Sequence, residues 1–138
     1  MSNPNSDAHG EIRSDFPGGW KGDEVNAFDN KGLNNQQLAA KNYIRTVLNW
    51  RKNKECIHKG KLTHYDPLKG VYVFFRYTDN EMVMVILNKN ETEVKLDMNR
   101  FKEVAGGYKT ATDLFTDRVY FLENLTIPAR SPLILELR

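Results

Sequence analysis

A chain of 138 residues has room for one domain and not for two large ones. A hydrophobic content of 40% is enough for folding, and a net charge of +2 excludes a dedicated nucleic-acid binder, which needs a strong cationic face. No apolar run approaches the roughly 20 residues of a membrane span, and the polar start lacks the apolar stretch of a signal peptide.

Three zones follow one another along the chain. Residues 1–33 are polar, rich in Asn, Asp and Gly, and poor in aliphatics. Within them, "RSDFPGGWKGD" holds a charge pair, two aromatics, a proline and three glycines, with neither helical nor strand periodicity. Residues 34–53 have helical spacing. Asn34 is placed as N-cap, with Gln37 three residues on in a capping-box position and Leu33 and Leu38 at the staple positions. Ala40, Ile44, Val47 and Leu48 then recur at 3–4 spacing, and Tyr43 and Trp50 widen the apolar stripe. Arg51, Lys52 and Lys54 gather where cations suit the helix dipole.

From Gly60 onward the pattern is of short strands. They are expected at 62–65, ending at Asp66-Pro67, then at 71–77, 82–87, 92–98, 111–115, 119–122, 125–127 and 132–137. In the second, Val71, Val73, Phe75 and Tyr77 share one face; Tyr72, Phe74 and Arg76 share the other. Thr78-Asp79-Asn80 and Asn88-Lys89-Asn90 read as turns, and a helical turn fits 99–104. Residues 82–87 are apolar on both faces, as in a central strand. In 92–98, Val94 and Leu96 point inward while Glu93, Lys95 and Asp97 point outward. Seven or eight short strands predict a mainly β fold, an antiparallel Greek-key sandwich preceded by a loop and one helix.

Chemistry-bearing residues are sparse. Cys56 is the single cysteine, so there is no internal disulfide, and its expected role is that of a small buried apolar group. His9, His58 and His64 are too far apart for helical metal spacing, and Asn5 and Asp7 match no calcium loop, so no metal is expected. Acid/base or nucleophilic work by paired carboxyls needs the two groups held at a fixed spacing across the reacting bond. The carboxylates here are scattered. Asp15 and Asp23 share one loop, which cannot fix that spacing without a scaffold. Tyr72, Phe74, Phe75 and Tyr77 suit core packing better than a sugar platform.

The residues carry a family resemblance. "SNPNSDAHGEIRSDFPGGW", "DEVNAF" and a helix ending in "LNWRKN" resemble the end of the catalytic barrel in glycoside hydrolases of the α-amylase superfamily, and most of all its cyclomaltodextrinase/neopullulanase group. "IHKGKLTHYDP", "GVYVFFRY" and "LTIPARSPLILEL" resemble the C-terminal β-sandwich of the same enzymes. The resemblance implies that residues 1–54 are the eighth loop and helix of a (β/α)8 barrel and 55–138 the sandwich, together a C-terminal fragment. The family's two catalytic aspartates and its glutamate lie on earlier strands, and no motif for them is present. No catalytic residue is assigned, and the fragment alone is expected to be inactive.

By the same resemblance, the parent reaction is retaining hydrolysis of α-1,4-glucosidic bonds in starch or cyclodextrin, with no organic cofactor. Arg13, Asp15, Phe16 and Trp20 are the candidate substrate contacts, because loops after barrel strands form the active-site face. The competing reading is that Arg13 and Asp15 shape the loop while the aromatics pack beneath it. The missing barrel is the expected partner, α-glucan the ligand reached through it, and self-association through the exposed helix face a further expectation. Two other readings stay open: an independent maltooligosaccharide-binding module and a protein-interaction domain. Cytoplasm and periplasm are equally compatible with the sequence.

Overall fold

The computed structural model describes Asn5, Asp7, Ala8 and residues 16–138. It divides into two compact units, Met1–Leu48 and Asn49–Arg138. The division falls inside the main helix, α1 (Asn35–Arg51). The last turn of α1 therefore belongs with the sheets.

In the first unit the capping box forms as expected. Asn34 N donates to Gln37 Oε1 and Gln37 N donates to Asn34 Oδ1, each at 2.9 Å. The loop ahead of the helix is built from local hydrogen bonds. Ala27 N donates to Pro17 O at 2.8 Å and Asn26 N to Lys31 O at 2.8 Å. Asn26 Oδ1 accepts from Phe28 N at 2.8 Å, an Asx turn that sends the chain back on itself. Gly18 has φ +109°, and a Cβ there would lie 2.5 Å from Asn26 Oδ1, so only glycine fits. Lys41 of α1 ties the loop down, donating to Ala27 O and, at 2.6 Å, to Asn30 Oδ1.

The second unit is mainly β. A short helix, α2 (Glu55–His58), precedes β1 (Lys61–Leu68), β2 (Val71–Tyr77), β3 (Met82–Asn88) and β4 (Val94–Lys95). A 3-10 turn (Met98–Phe101) and α3 (Lys102–Ala105) lead to β5 (Thr110–Asp113), β6 (Val119–Phe121), β7 (Thr126–Ile127) and β8 (Pro132–Leu137). The six-stranded sheet has the order β1-β2-β3-β8-β5-β6, and β4 pairs with β7 in a small second sheet. Every pairing is antiparallel. The chain crosses to the small sheet and back twice, and β8 returns between β3 and β5, the long return of a Greek key.

The inward residues form one core. Val71, Val73, Phe75, Met84, Ile86, Leu133 and Leu135 of the large sheet pack with Leu96, Phe101, Leu122, Leu125 and Ile127. Tyr65, Phe75 and Phe101 meet edge-on or tilted, with centroids 4.7–6.0 Å apart, in the favoured aromatic geometry. Burial first, then the hydrogen bond to Glu103, pushes the Tyr65 hydroxyl up to about 12.

Two strand expectations need correction. β1 does not stop at Asp66-Pro67 but runs on to Leu68, with an irregularity between Tyr65 and Leu68. Proline is tolerated there because β1 is an edge strand and a bulge absorbs it. The alternation at 92–98 holds, with Val94 and Leu96 more buried than Glu93, Lys95 and Asp97, but the ladder spans two residues only. Its partner β7 is equally short, and Asp97 Oδ1 already accepts from Asn99 N to start the 3-10 turn.

Lys69-Gly70 joins β1 to β2 with φ +48° and +76°, a two-residue turn of type I′. A Cβ on Gly70 would lie 2.4 Å from Asn90 Oδ1. Lys69 has no such obstacle but is in a region that asparagine tolerates better. Lys69→Asn is expected to stabilise the chain by about 0.5–1 kcal/mol, read as a rise in thermal midpoint; a fall would contradict this turn assignment.

Candidate functional site

The first candidate surface is the loop before α1. Of the four predicted substrate contacts, Arg13 and Asp15 lie outside the described residues. Phe16 and Trp20 are 64% and 74% exposed. The Asx turn at Asn26 brings Phe28 to Phe16, with ring centroids 5.5 Å apart. Asp23 Oδ2 accepts from Trp20 N at 3.1 Å and closes the turn from Trp20 to Asp23. Phe16, Pro17, Trp20, Asp23, Glu24 and Val25 line an open recess. Exposed aromatic faces beside carboxylates suit a ligand with apolar faces and a rim of hydroxyls. Phe28 was not singled out from the sequence. The signal was Asn26 two residues before it, a side chain suited to an Asx turn.

Each unit also has an apolar face of its own, one on α1 and one on the large sheet. α1 has no buried residue, and Tyr43, Ile44 and Leu48 are exposed. On the large sheet the register aligns outward residues in rows. His64, Phe74, Val85 and Ile134 form one row; Tyr72 and Leu87 flank it with Pro132. An antiparallel sheet with one wet face shows polar residues there. This one carries aromatic and aliphatic residues instead. The Tyr72 and Phe74 rings are half-buried and tilted by 39°, so they do not form a flat sugar platform. Phe75 is fully buried, as core packing requires.

Residues 62–136 match the family model of the cyclo-malto-dextrinase C-terminal domain. The chain belongs to that family. Solved structures share the fold of this C-terminal domain and its flank. AmyP in complex with maltose aligns with a TM-score of 0.62 at 16% identity, covering 78% of this chain and 22% of that one. The alpha-amylase of Geobacillus thermoleovorans, complexed with acarbose, gives 0.55 at 14% identity, covering 82% and 26%. Maltogenic amylase from S. marinus gives 0.53 at 16% identity, covering 72% and 12%. The chain thus spans between 12% and 26% of the length of these neighbours.

Within the C-terminal domain unit the remaining candidates have structural surroundings. Cys56 is fully buried, and burial followed by the nearby Glu81 carboxylate pushes its thiol up to about 11, which leaves it an unreactive thiol at neutral pH. His58 Nε2 donates to Arg51 O at 2.8 Å, and His64 lies edge-on to Tyr72. His9 lies outside the described residues. Among the described residues no three His, Cys, Asp or Glu side chains converge on a metal position. No described helix is long and apolar enough to cross a membrane.

Proposed function

We propose that this chain is the non-catalytic C-terminal region of an α-glucan hydrolase of the cyclomaltodextrinase/neopullulanase type. It caps and stabilises a catalytic (β/α)8 barrel, and residues 1–54 complete that barrel as its eighth loop and helix. The loop brings Phe16 and Trp20, together with Arg13 and Asp15, to the substrate cleft. Catalytic carboxylates, the retaining cleavage of α-1,4 bonds and the choice among starch and cyclodextrin substrates belong to the barrel. The observations that carry this reading are the apolar faces of α1 and of the large sheet, each taken by itself. A capped helix with no buried residue and a sheet with apolar residues on both faces call for a large apolar partner.

Co-production with a cyclomaltodextrinase barrel truncated before its last loop tests the reading. A stable one-to-one complex that hydrolyses β-cyclodextrin is expected, with no hydrolysis by this chain alone. Ile44→Asp with Leu48→Asp should weaken the complex by tenfold or more, since each buried side chain contributes about 1.5–3 kcal/mol. The urea midpoint of the isolated chain should hardly move, because both residues are exposed in it. Failure to form any complex would sink the proposal.

A second reading, sugar binding by the sheet unit itself, is favoured by one feature. A recess of about 630 Å³ is lined by Asn99, Lys102, Tyr108 and Glu123 over Leu96 and Leu122. Calorimetry of the whole chain with maltoheptaose separates the two: binding lost in Asn99→Ala supports the module, and no heat supports a purely structural domain.

A further inference from the structure

Residues 50–58 lie across one row of the outward face of the large sheet. In that row, register places Leu62, Arg76, Val83, Glu136, Thr112 and Val119 side by side on the six strands. Unlike the neighbouring apolar row it carries two charges, and both are used by the crossing segment. Glu136 Oε1 accepts from Trp50 Nε1 at 2.5 Å and from Lys54 Nζ at 2.7 Å. Arg76 donates through Nε to Cys56 O at 3.1 Å and through Nη2 to Ile57 O at 2.7 Å. A third group, Glu81 in the β2–β3 turn, accepts from Cys56 N at 2.5 Å. Between these anchors Val83 is 1% exposed although it points outward. The sheet thus closes three side chains over a segment that holds no strand of its own.

We infer that residues 50–58 form a latch on the sheet, held shut by Glu136, Arg76 and Glu81, and that acid opens its Glu136 end before the sheet itself unfolds. This goes beyond the capping role proposed above, and it does not depend on the partner being a barrel. The groups facing Glu136 fix the direction of the response. Lys54 and Trp50 face it from the segment and Arg138 from just past the end of its strand, while Glu81, Asn80 and Lys54 line the recess beside it. Burial pushes the Glu136 carboxyl up, but the Lys54 and Trp50 hydrogen bonds and the Lys54 and Arg138 charges outweigh it and hold it below its ordinary 4.5. A carboxyl depressed in the closed state stabilises that state fully above its ordinary value and loses the contribution as pH falls through the depressed one. Arg76 keeps its charge throughout. His58 is engaged with the Arg51 carbonyl and not with Glu136, Arg76 or Glu81.

The test uses the whole chain and its two indoles, with Trp20 as the exposed reference. At neutral pH the Trp50 indole proton should exchange at least about tenfold more slowly than that of Trp20. The ratio corrects for the intrinsic pH dependence of exchange. As pH falls through the depressed Glu136 value it should collapse towards one while the Phe75 and Met84 amides stay protected. In Glu136→Gln, which keeps an acceptor oxygen and loses the charge, this acid step should disappear. The inference is overturned by a ratio near one at neutral pH, by collapse only together with Phe75 and Met84, or by an unchanged acid step in the variant. If the variant does not fold, the wild-type profile decides alone.

Discussion

Phe101→Ala is expected to destabilise the chain by about 3–5 kcal/mol. Phe101 is fully buried at the end of the 3-10 turn on the crossing from the small sheet to the large one. Its ring meets Tyr65 at 4.7 Å and Phe75 at 5.8 Å, so one side chain joins β1, β2 and the crossing segment. Truncation removes the transfer contribution of the ring and leaves a void that two flanking strands cannot close, because their register is fixed by backbone pairing. A domain of this size has a total stability of about 5–15 kcal/mol, so the loss is a large part of it. Urea unfolding followed by far-UV circular dichroism gives the figure. A loss under about 1.5 kcal/mol would mean that the core relaxes around the gap.

Asn88→Asp should cost a similar amount, about 3–5 kcal/mol at neutral pH, although the two side chains have nearly the same shape. Asn88 is 4% exposed at the end of β3. Its amide nitrogen faces three carbonyl oxygens, Thr92 O at 3.1 Å, Ile127 O at 3.4 Å and Pro128 O at 2.9 Å. Its oxygen accepts from Asn90 N at 3.0 Å and Asn90 Nδ2 at 2.8 Å. One residue therefore fastens the large sheet to the strands of the small one. A carboxylate there has no proton to donate and meets carbonyl dipoles with the wrong sign. The new carboxyl would be raised in the folded state, so the deficit should be large at pH 7, shrink as pH falls towards about 4, the ordinary aspartate value, and change no further below it. Equal losses at both pH values would contradict this account of the site.

Local features of the fold were the legible ones. The Asn34–Gln37 box spans four residues and needs nothing distant, and the helix begins where that pair places it. The turn after β2 was equally plain, with Thr78 Oγ1 accepting from Asn80 N and Glu81 N. The face of β2 that holds Val71, Val73 and Phe75 followed from alternation alone. Asn88 was visible only as part of a turn, because its donor bonds reach positions 39 and 40 residues away. The latch was hidden for the same reason: Trp50 and Glu136 are 86 residues apart. The seven-residue strand expected at 92–98 failed because alternation reports which side is buried, not how many backbone partners exist. At the candidate site, Phe16 and Trp20 could be chosen by composition. Phe28 required a turn to be folded before it came within reach of them.

The place of β8 has a consequence for how the protein is made. It follows the other strands of the described residues in sequence, yet it lies between β3 and β5 in the middle of the large sheet. On the ribosome, β1, β2 and β3 can pair as they emerge, and so can the β5–β6 hairpin. The two halves stay unjoined, each with a bare hydrogen-bonding edge, until residues 132–137 arrive. Long-range pairing of this kind is slow and leaves sticky edges open while it waits. A chain lacking residues 132–137 would therefore not have lost a dispensable segment; it would be left with two half-sheets and no strand to join them.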